Sequence, residues 1–246
     1  MKKISIILAP LAALIALMLS AISICAQTQT REDLIKEIGA KRADLQRLET
    51  AFLSPSEEDR AKYAAFLSQP ETGLIRLLPR EKYDADVQNE NNNKLSIRGG
   101  GSFYSFVRLT HEYGYGSDIH LSDGWLSTGF AGANYGIMTT LGNTPLENIT
   151  VETPEVQFLA THTPPAEEPK ARIEQTKWGK GEMIDGTTYG ERLRMGVNTT
   201  YLVRSVDYDT SDVLVAFRVV RVDTDGSAII LWKNLKTYSV PKLARK

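Results

Sequence analysis

The stretch THEYGYGSDIH, residues 110–120, holds two of the chain's three histidines, His111 and His120, together with Glu112 and Asp118. Imidazole nitrogens and carboxylate oxygens at this density are the groups that bind a divalent cation or pass a proton. Asp118 and His120 lie two apart, so a strand over residues 117–121 puts both on one face. His111 and Glu112 then approach from the preceding strand across residues 113–116. The metal reading uses His111, Asp118 and His120, and an acid/base hydrolase reading adds Glu112. The spacing completes no metal signature, because H-E-x-x-H needs a helix that Gly114 and Gly116 oppose. A Tyr/Gly-rich hairpin loop with polar groups in water or capping turns explains the same residues.

Other chemistry is sparser. Neither Ser117 nor Ser102 has the flanking glycines of a nucleophile elbow. The run RGGGS, residues 98–102, lacks the Gly-Lys-Ser/Thr of a phosphate loop and precedes a strand, so its glycines read as a bulge or tight bend. The acidic turns DYDTSD and DTDGS complete no twelve-residue calcium loop. Aromatic side chains are the remaining signal. Tyr104, Tyr113, Tyr115, Trp125, Phe130 and Tyr135 fall among glycines, and flat rings between small residues suit a sugar or a partner protein. With Arg98, the residues Tyr104, Tyr113, Tyr115, Trp125 and Tyr135 form the expected contact surface.

Several elements must position these groups. Residues 31–53 place Leu34, Ile38, Leu45, Leu48 and Phe52 on a helical stripe with Lys41 in the remaining core position, and Thr30 with Asp33 can cap it. The run Ser54-Pro55-Ser56-Glu57 signals a second start, with Ser54 as cap, and a helix to about Gln69. Together these predict a helical hairpin over residues 27–70, with Ala61, Ala64, Ala65 and Phe66 available for close packing. Strand texture follows. Residues 71–162 read as a Gly/aromatic-rich antiparallel β region, with strands over YGIMTTL and EVQFLATH and a hairpin turn at Ser122-Asp123-Gly124. Residues 103–109 are expected to continue as one strand. Residues 163–170, TPPAEEPK, read as a proline-rich acidic loop or linker.

Residues 171–246 give the clearest pattern, three strand-like runs joined by acidic turns in a C-terminal meander. Both parities of VLVAFRVVRV are apolar, so that strand is covered on both faces. The expected fold class is therefore mostly β, or α+β by segment: an N-terminal helical hairpin followed by antiparallel β-sandwich or barrel-like units.

The chain opens MKK and continues apolar from Ile4 to Ile24, the pattern of a secretory signal over residues 1–26, cleaved before Gln27. The run is also long enough for an uncleaved anchor over residues 4–24, the one membrane contact expected. A lipid anchor on Cys25 is disfavoured by the bulky Ile24 before it. Both main readings place the rest outside the cytoplasm, in the periplasm or beyond.

Cys25 is the only cysteine, so a chain starting at Gln27 has no disulfide, thiolate metal site or cysteine nucleophile. Without Lys2 and Lys3 the 29 basic residues become 27 against 30 acidic ones, a balance unsuited to capturing nucleic acid. The expectation is a non-catalytic binding or structural module of the bacterial cell envelope, without cofactor. Its partners would be an envelope protein or carbohydrate, with homo-oligomerisation open through residues 31–69. The alternative is a metal- or acid/base-dependent envelope hydrolase using the segment from His111 to His120.

Overall fold

The computed structural model describes residues 30–85, 94–111, 113–130 and 132–244; the expected signal segment and Glu112 lie outside them. Of these residues 30% are helical and 33% lie in strands, so the fold is mixed rather than mostly β. Among them no helix is long and apolar enough to cross a membrane.

The chain divides into two units, residues 1–48 and 49–246. The first is described by most of helix α1 (Arg31–Leu53), started by a reciprocal cap in which Asp33 N–H donates to Thr30 Oγ1 at 3.1 Å. Its stripe residues Leu34, Ile38, Leu45 and Leu48 are exposed.

In the second unit the start signal after α1 operates two residues later than the proline suggests. Ser56, not Ser54, caps α2 (Glu57–Lys62) and accepts from Asp59 N–H at 3.1 Å. Then comes α3 (Ala64–Leu67), whose Phe66 is buried in the β core while Ala61, Ala64 and Ala65 are exposed.

Five antiparallel strands form the main sheet in the order β1-β11-β10-β9-β5, with β1 Thr72–Leu77, β5 Tyr135–Thr140, β9 Thr199–Asp207, β10 Ser211–Val222 and β11 Ala228–Thr237. The expected meander is β9-β10-β11, and the early strands β1 and β5 close its two edges. The order is open, so this is not a barrel.

Alternation sorts β10 as its sequence requires. Val213, Val215, Phe217 and Val219 join one buried cluster, while Leu214 and Ala216 join the other. The first face is covered by a second sheet in the order β2-β3-β4-β8, formed by Phe103–Tyr104, Ile119–Ser122, Trp125–Ser127 and Arg192–Arg194. Tyr104, Ile119, Leu121, Leu126 and Leu193 meet the main sheet there. A short two-stranded ribbon, β6 Glu182–Ile184 with β7 Thr187–Tyr189, lies against β5, where Thr139 Oγ1 donates to Thr188 O at 2.8 Å and Tyr189 joins the core.

The other face is covered by helices. There α5 (Pro154–Thr161) and α6 (Glu168–Lys180) pack Val156, Leu159, Ala171 and Trp178 onto the main sheet, whereas the short α4 (Arg80–Tyr83), which follows β1, buries Tyr83 in a separate cluster with Leu53 and Leu78. The strand expected over EVQFLATH is thus a helix: Pro154 occupies its first turn, and Val156 and Leu159 have helical spacing. Residues 163–167 are irregular, as expected, and are tied down where Tyr208 Oη donates to Pro165 O at 2.6 Å. The helix α6 begins inside the expected linker because Pro169 fits a first turn.

The strand expected through residues 103–109 ends after Tyr104. Residues 105–109 fold into a turn in which Leu109 N–H donates to Ser105 O at 2.9 Å and Leu109 takes φ 56°. The turn at Asp123-Gly124 is as expected, with φ of 51° and 71° and Ser122 opposite Trp125.

Candidate functional site

Register builds one surface on the outer face of the four-stranded sheet. Phe103 lies opposite His120, His120 opposite Ser127, and Ser127 opposite Arg192; the next row is Ser122, Trp125 and Arg194. Because Tyr104, Ile119, Leu121 and Leu126 point inward, these two rows must point outward.

Three further pieces turn one end of that face into a cleft of about 380 Å3, lined by Arg80, Arg98, Phe103, Tyr113, Gly114, Tyr115, His120 and Phe130. Helix α4 supplies Arg80, held where its Nε donates to the buried Asp84 Oδ2 at 2.7 Å. Arg98 enters from the triple-glycine bend, in which Gly99, Gly100 and Gly101 all take φ between 60° and 78°. A Cβ on Gly100 would stand 2.3 Å from the Tyr83 carbonyl carbon, so the bend has to be glycine. Phe130 follows β4.

The rings interlock. His120 stacks on Phe103 at 4.1 Å, while Tyr113 and Phe130 meet Phe103 edge-on at 4.8 and 5.3 Å. The Arg98 guanidinium lies 4.3 Å from the Tyr113 ring centre, and Arg80 lies 5.9 Å from those of both Phe103 and Tyr113. Trp125 sits between Arg192 and Arg194, at 4.6 and 4.7 Å.

His120 is 9% exposed and its Nε2 has no hydrogen-bond partner. Burial, reinforced by the Arg80 charge, pushes its pKa down to about 4, so the imidazole is neutral at pH 7. Among the described lining residues there is no carboxylate, serine, lysine or cysteine. The cleft therefore offers guanidinium charge, an unpaired neutral imidazole nitrogen and ring faces.

The sequence-derived residues separate. Arg98, Tyr113, Tyr115 and His120 converge on the cleft, and Trp125 lies on the same sheet face. Tyr104 does not join them, because it faces inward against Phe106 and His111. Tyr135 is buried on the helical side of the main sheet, its hydroxyl 2.7 Å from His162 Nε2.

His111, Asp118 and His120 do not come together, and among the described residues no three His, Cys, Asp or Glu side chains are placed to hold a metal ion. His111 Nε2 donates to Arg76 O at 2.7 Å, and burial lowers its pKa. Asp118 precedes the strand instead of sharing its face and turns inward, where Phe106 N–H donates to its Oδ2 at 2.6 Å. Burial raises the Asp118 carboxyl to about 6.

Sequence reasoning missed Arg80, Arg192 and Arg194. Nothing local marks Arg80, but the alternation Arg192-Leu193-Arg194 is the pattern of a strand with one cationic face. No protein-family model, curated protein or solved structure matches this chain.

Proposed function

We propose that the chain is an exported, non-catalytic binding module of the bacterial envelope whose ligand is an acidic saccharide. The ligand would be held on the outer face of the four-stranded sheet. The observation that carries this reading is the Arg80/Arg98 cleft with the unpartnered His120 at its base. Sugar rings stack on Tyr113 and Tyr115, uronate carboxylates meet Arg98 and Arg80, and a hydroxyl reaches His120 Nε2. Arg192 and Arg194 beside Trp125 extend the same recognition to a second residue of the saccharide. Export rests on the leader pattern of residues 1–26. The hairpin reading of residues 27–70 assigns self-association to the exposed stripe Leu34, Ile38, Leu45 and Leu48, weakened by Lys41 in a core position.

Titration calorimetry with a uronic-acid oligosaccharide and a neutral oligosaccharide of equal length tests the ligand class. The acidic sugar is expected to bind more tightly. Arg98→Ala and Tyr113→Ala should each weaken it about tenfold, roughly 1.4 kcal/mol, with an unchanged melt. Equal affinity for both sugars, or no binding of either, overturns the proposal.

A further inference from the structure

A second cleft, of about 360 Å3, opens where the turn over residues 105–109 overhangs the end of the main sheet near the start of β1. Its lining is mixed: Val213 and Val215 of β10 and Phe106 are buried and apolar, Val107 and Leu109 are 48% and 62% exposed, and Glu71, Thr72, Asn234 and Thr237 add polar groups. It shares no lining residue with the arginine cleft and does not depend on the saccharide reading.

Two unpaired polar groups belong to residues that line it. Trp232 is 5% exposed, its indole lying against Gly73, where a Cβ would come within 2.5 Å of the ring. Its buried Nε1–H has no acceptor. Two residues on, Asn234 donates from Nδ2 to Thr237 Oγ1 at 2.8 Å, which fixes the amide and leaves its buried Oδ1 without a donor. Residues two apart on a strand share a face, so Trp232 and Asn234 stand on one wall with their Cα atoms roughly 7 Å apart. A register shift between Leu214 and Val215 falls beside them, with Val215 opposite Asn234. Bulges of this kind re-aim side chains at strand ends.

A buried donor without an acceptor and a buried acceptor without a donor each cost free energy that a ligand recovers by pairing both. We propose that this cleft binds an apolar ligand built around a secondary amide. Its carbonyl accepts from Trp232 Nε1–H, its N–H donates to Asn234 Oδ1, and its hydrocarbon rests on Val107, Leu109, Val213 and Val215. An apolar dipeptide unit has that pattern and suits that volume.

The probe is a blocked dipeptide, N-acetyl-leucyl-valine amide, beside its depsipeptide analogue, in which an ester oxygen replaces the central N–H. Titration of the full chain is followed by the indole N–H resonances in nitrogen-15 correlation spectra, with Trp232 assigned from Trp232→Phe. The amide is expected to bind about tenfold more tightly than the ester and to shift the Trp232 resonance downfield. Trp232→Phe should weaken both probes, and Val107→Asp, on the exposed lip, should abolish binding with the fold intact. Equal affinity of amide and ester, a Trp232 resonance that does not move, or binding that survives Val107→Asp each overturn the proposal. So does a parent chain that binds neither probe.

Discussion

The eleven residues from Thr110 to His120 concentrate groups able to do chemistry, yet the fold sends them different ways: His111 and Asp118 are used inside the fold, while Tyr113, Tyr115 and His120 line the arginine cleft. Asp118 illustrates why spacing misleads: the two-residue interval to His120 places both on one face only inside a strand, and β3 begins at Ile119. The residue before a strand is free to turn inward, and Asp118 does so to receive the turn's N–H groups. It has a buried neighbour in Asp207, whose carboxyl is raised to about 7 by burial and by the Asp118 charge. A carboxyl raised in the folded state stabilises fully below its ordinary value near 4, and that contribution is lost as pH climbs towards 7. Relative to the parent, Asp207→Asn should therefore gain in melting temperature between pH 5 and pH 8. Calorimetric scans at the two pH values check the sign, and a relative loss at pH 8 would refute the account.

Asp212, also raised by burial, differs in having a counter-charge: the buried Arg204 donates to it from Nη2 to Oδ2 at 2.8 Å and from Nε to Oδ1 at 2.5 Å. Asp212→Asn leaves a guanidinium in the core without its counter-charge. The expected loss is about 3 kcal/mol or more in denaturant unfolding, against a surface pair's ~1 kcal/mol or less.

Among the elements, those with a strict period were legible and those with a sparse one were not. The strands β5, β9, β10 and β11 and the turn at Asp123-Gly124 follow from alternation and turn chemistry alone. The helix α5 was misread because Val156 and Phe158 resemble a strand face when Thr153-Pro154 is not weighed as a start. The helix α6 buries only Ala171 and Trp178, too thin a stripe to declare itself. The triple glycine was readable as a bend, but what it bends around was not. Gly100→Ala forces a side chain onto the Tyr83 backbone at positive φ, so it should cost at least ~2 kcal/mol by chemical denaturation and move Arg98 off Tyr113. A wild-type melt for this variant would remove the argument that the bend positions the cleft. For α1, a chain begun at Glu49 should keep its melting temperature, because the stripe through Leu48 is exposed. Analytical ultracentrifugation of that chain tests self-association: if residues 30–48 carry it, the shortened chain is monomeric where the parent is not.

At the scale of the molecule, sequence reasoning left open whether residues 71–162 and 171–246 form one β unit or two. Strand pairing makes them one, since β5 pairs with β9, β4 with β8, and β1 with β11. Partnership between distant strands leaves no local trace, and so the topology was invisible where the strands themselves were not. The same partnerships make the fold rich in long-range contacts. Refolding in stopped-flow experiments should accordingly take milliseconds to seconds rather than microseconds.

Among the described residues the edge strand β1 pairs with no strand but β11, with Thr72 opposite Lys233 and Leu77 opposite Ala228. Synthesis runs from one end of the chain to the other, so β1 leaves the ribosome long before the strand that completes it. Until residues 228–237 emerge, the main sheet lacks its penultimate strand and the nascent chain has no finished core to close. The main sheet of this chain is therefore expected to close late, after nearly all of the residues that it gathers have left the ribosome.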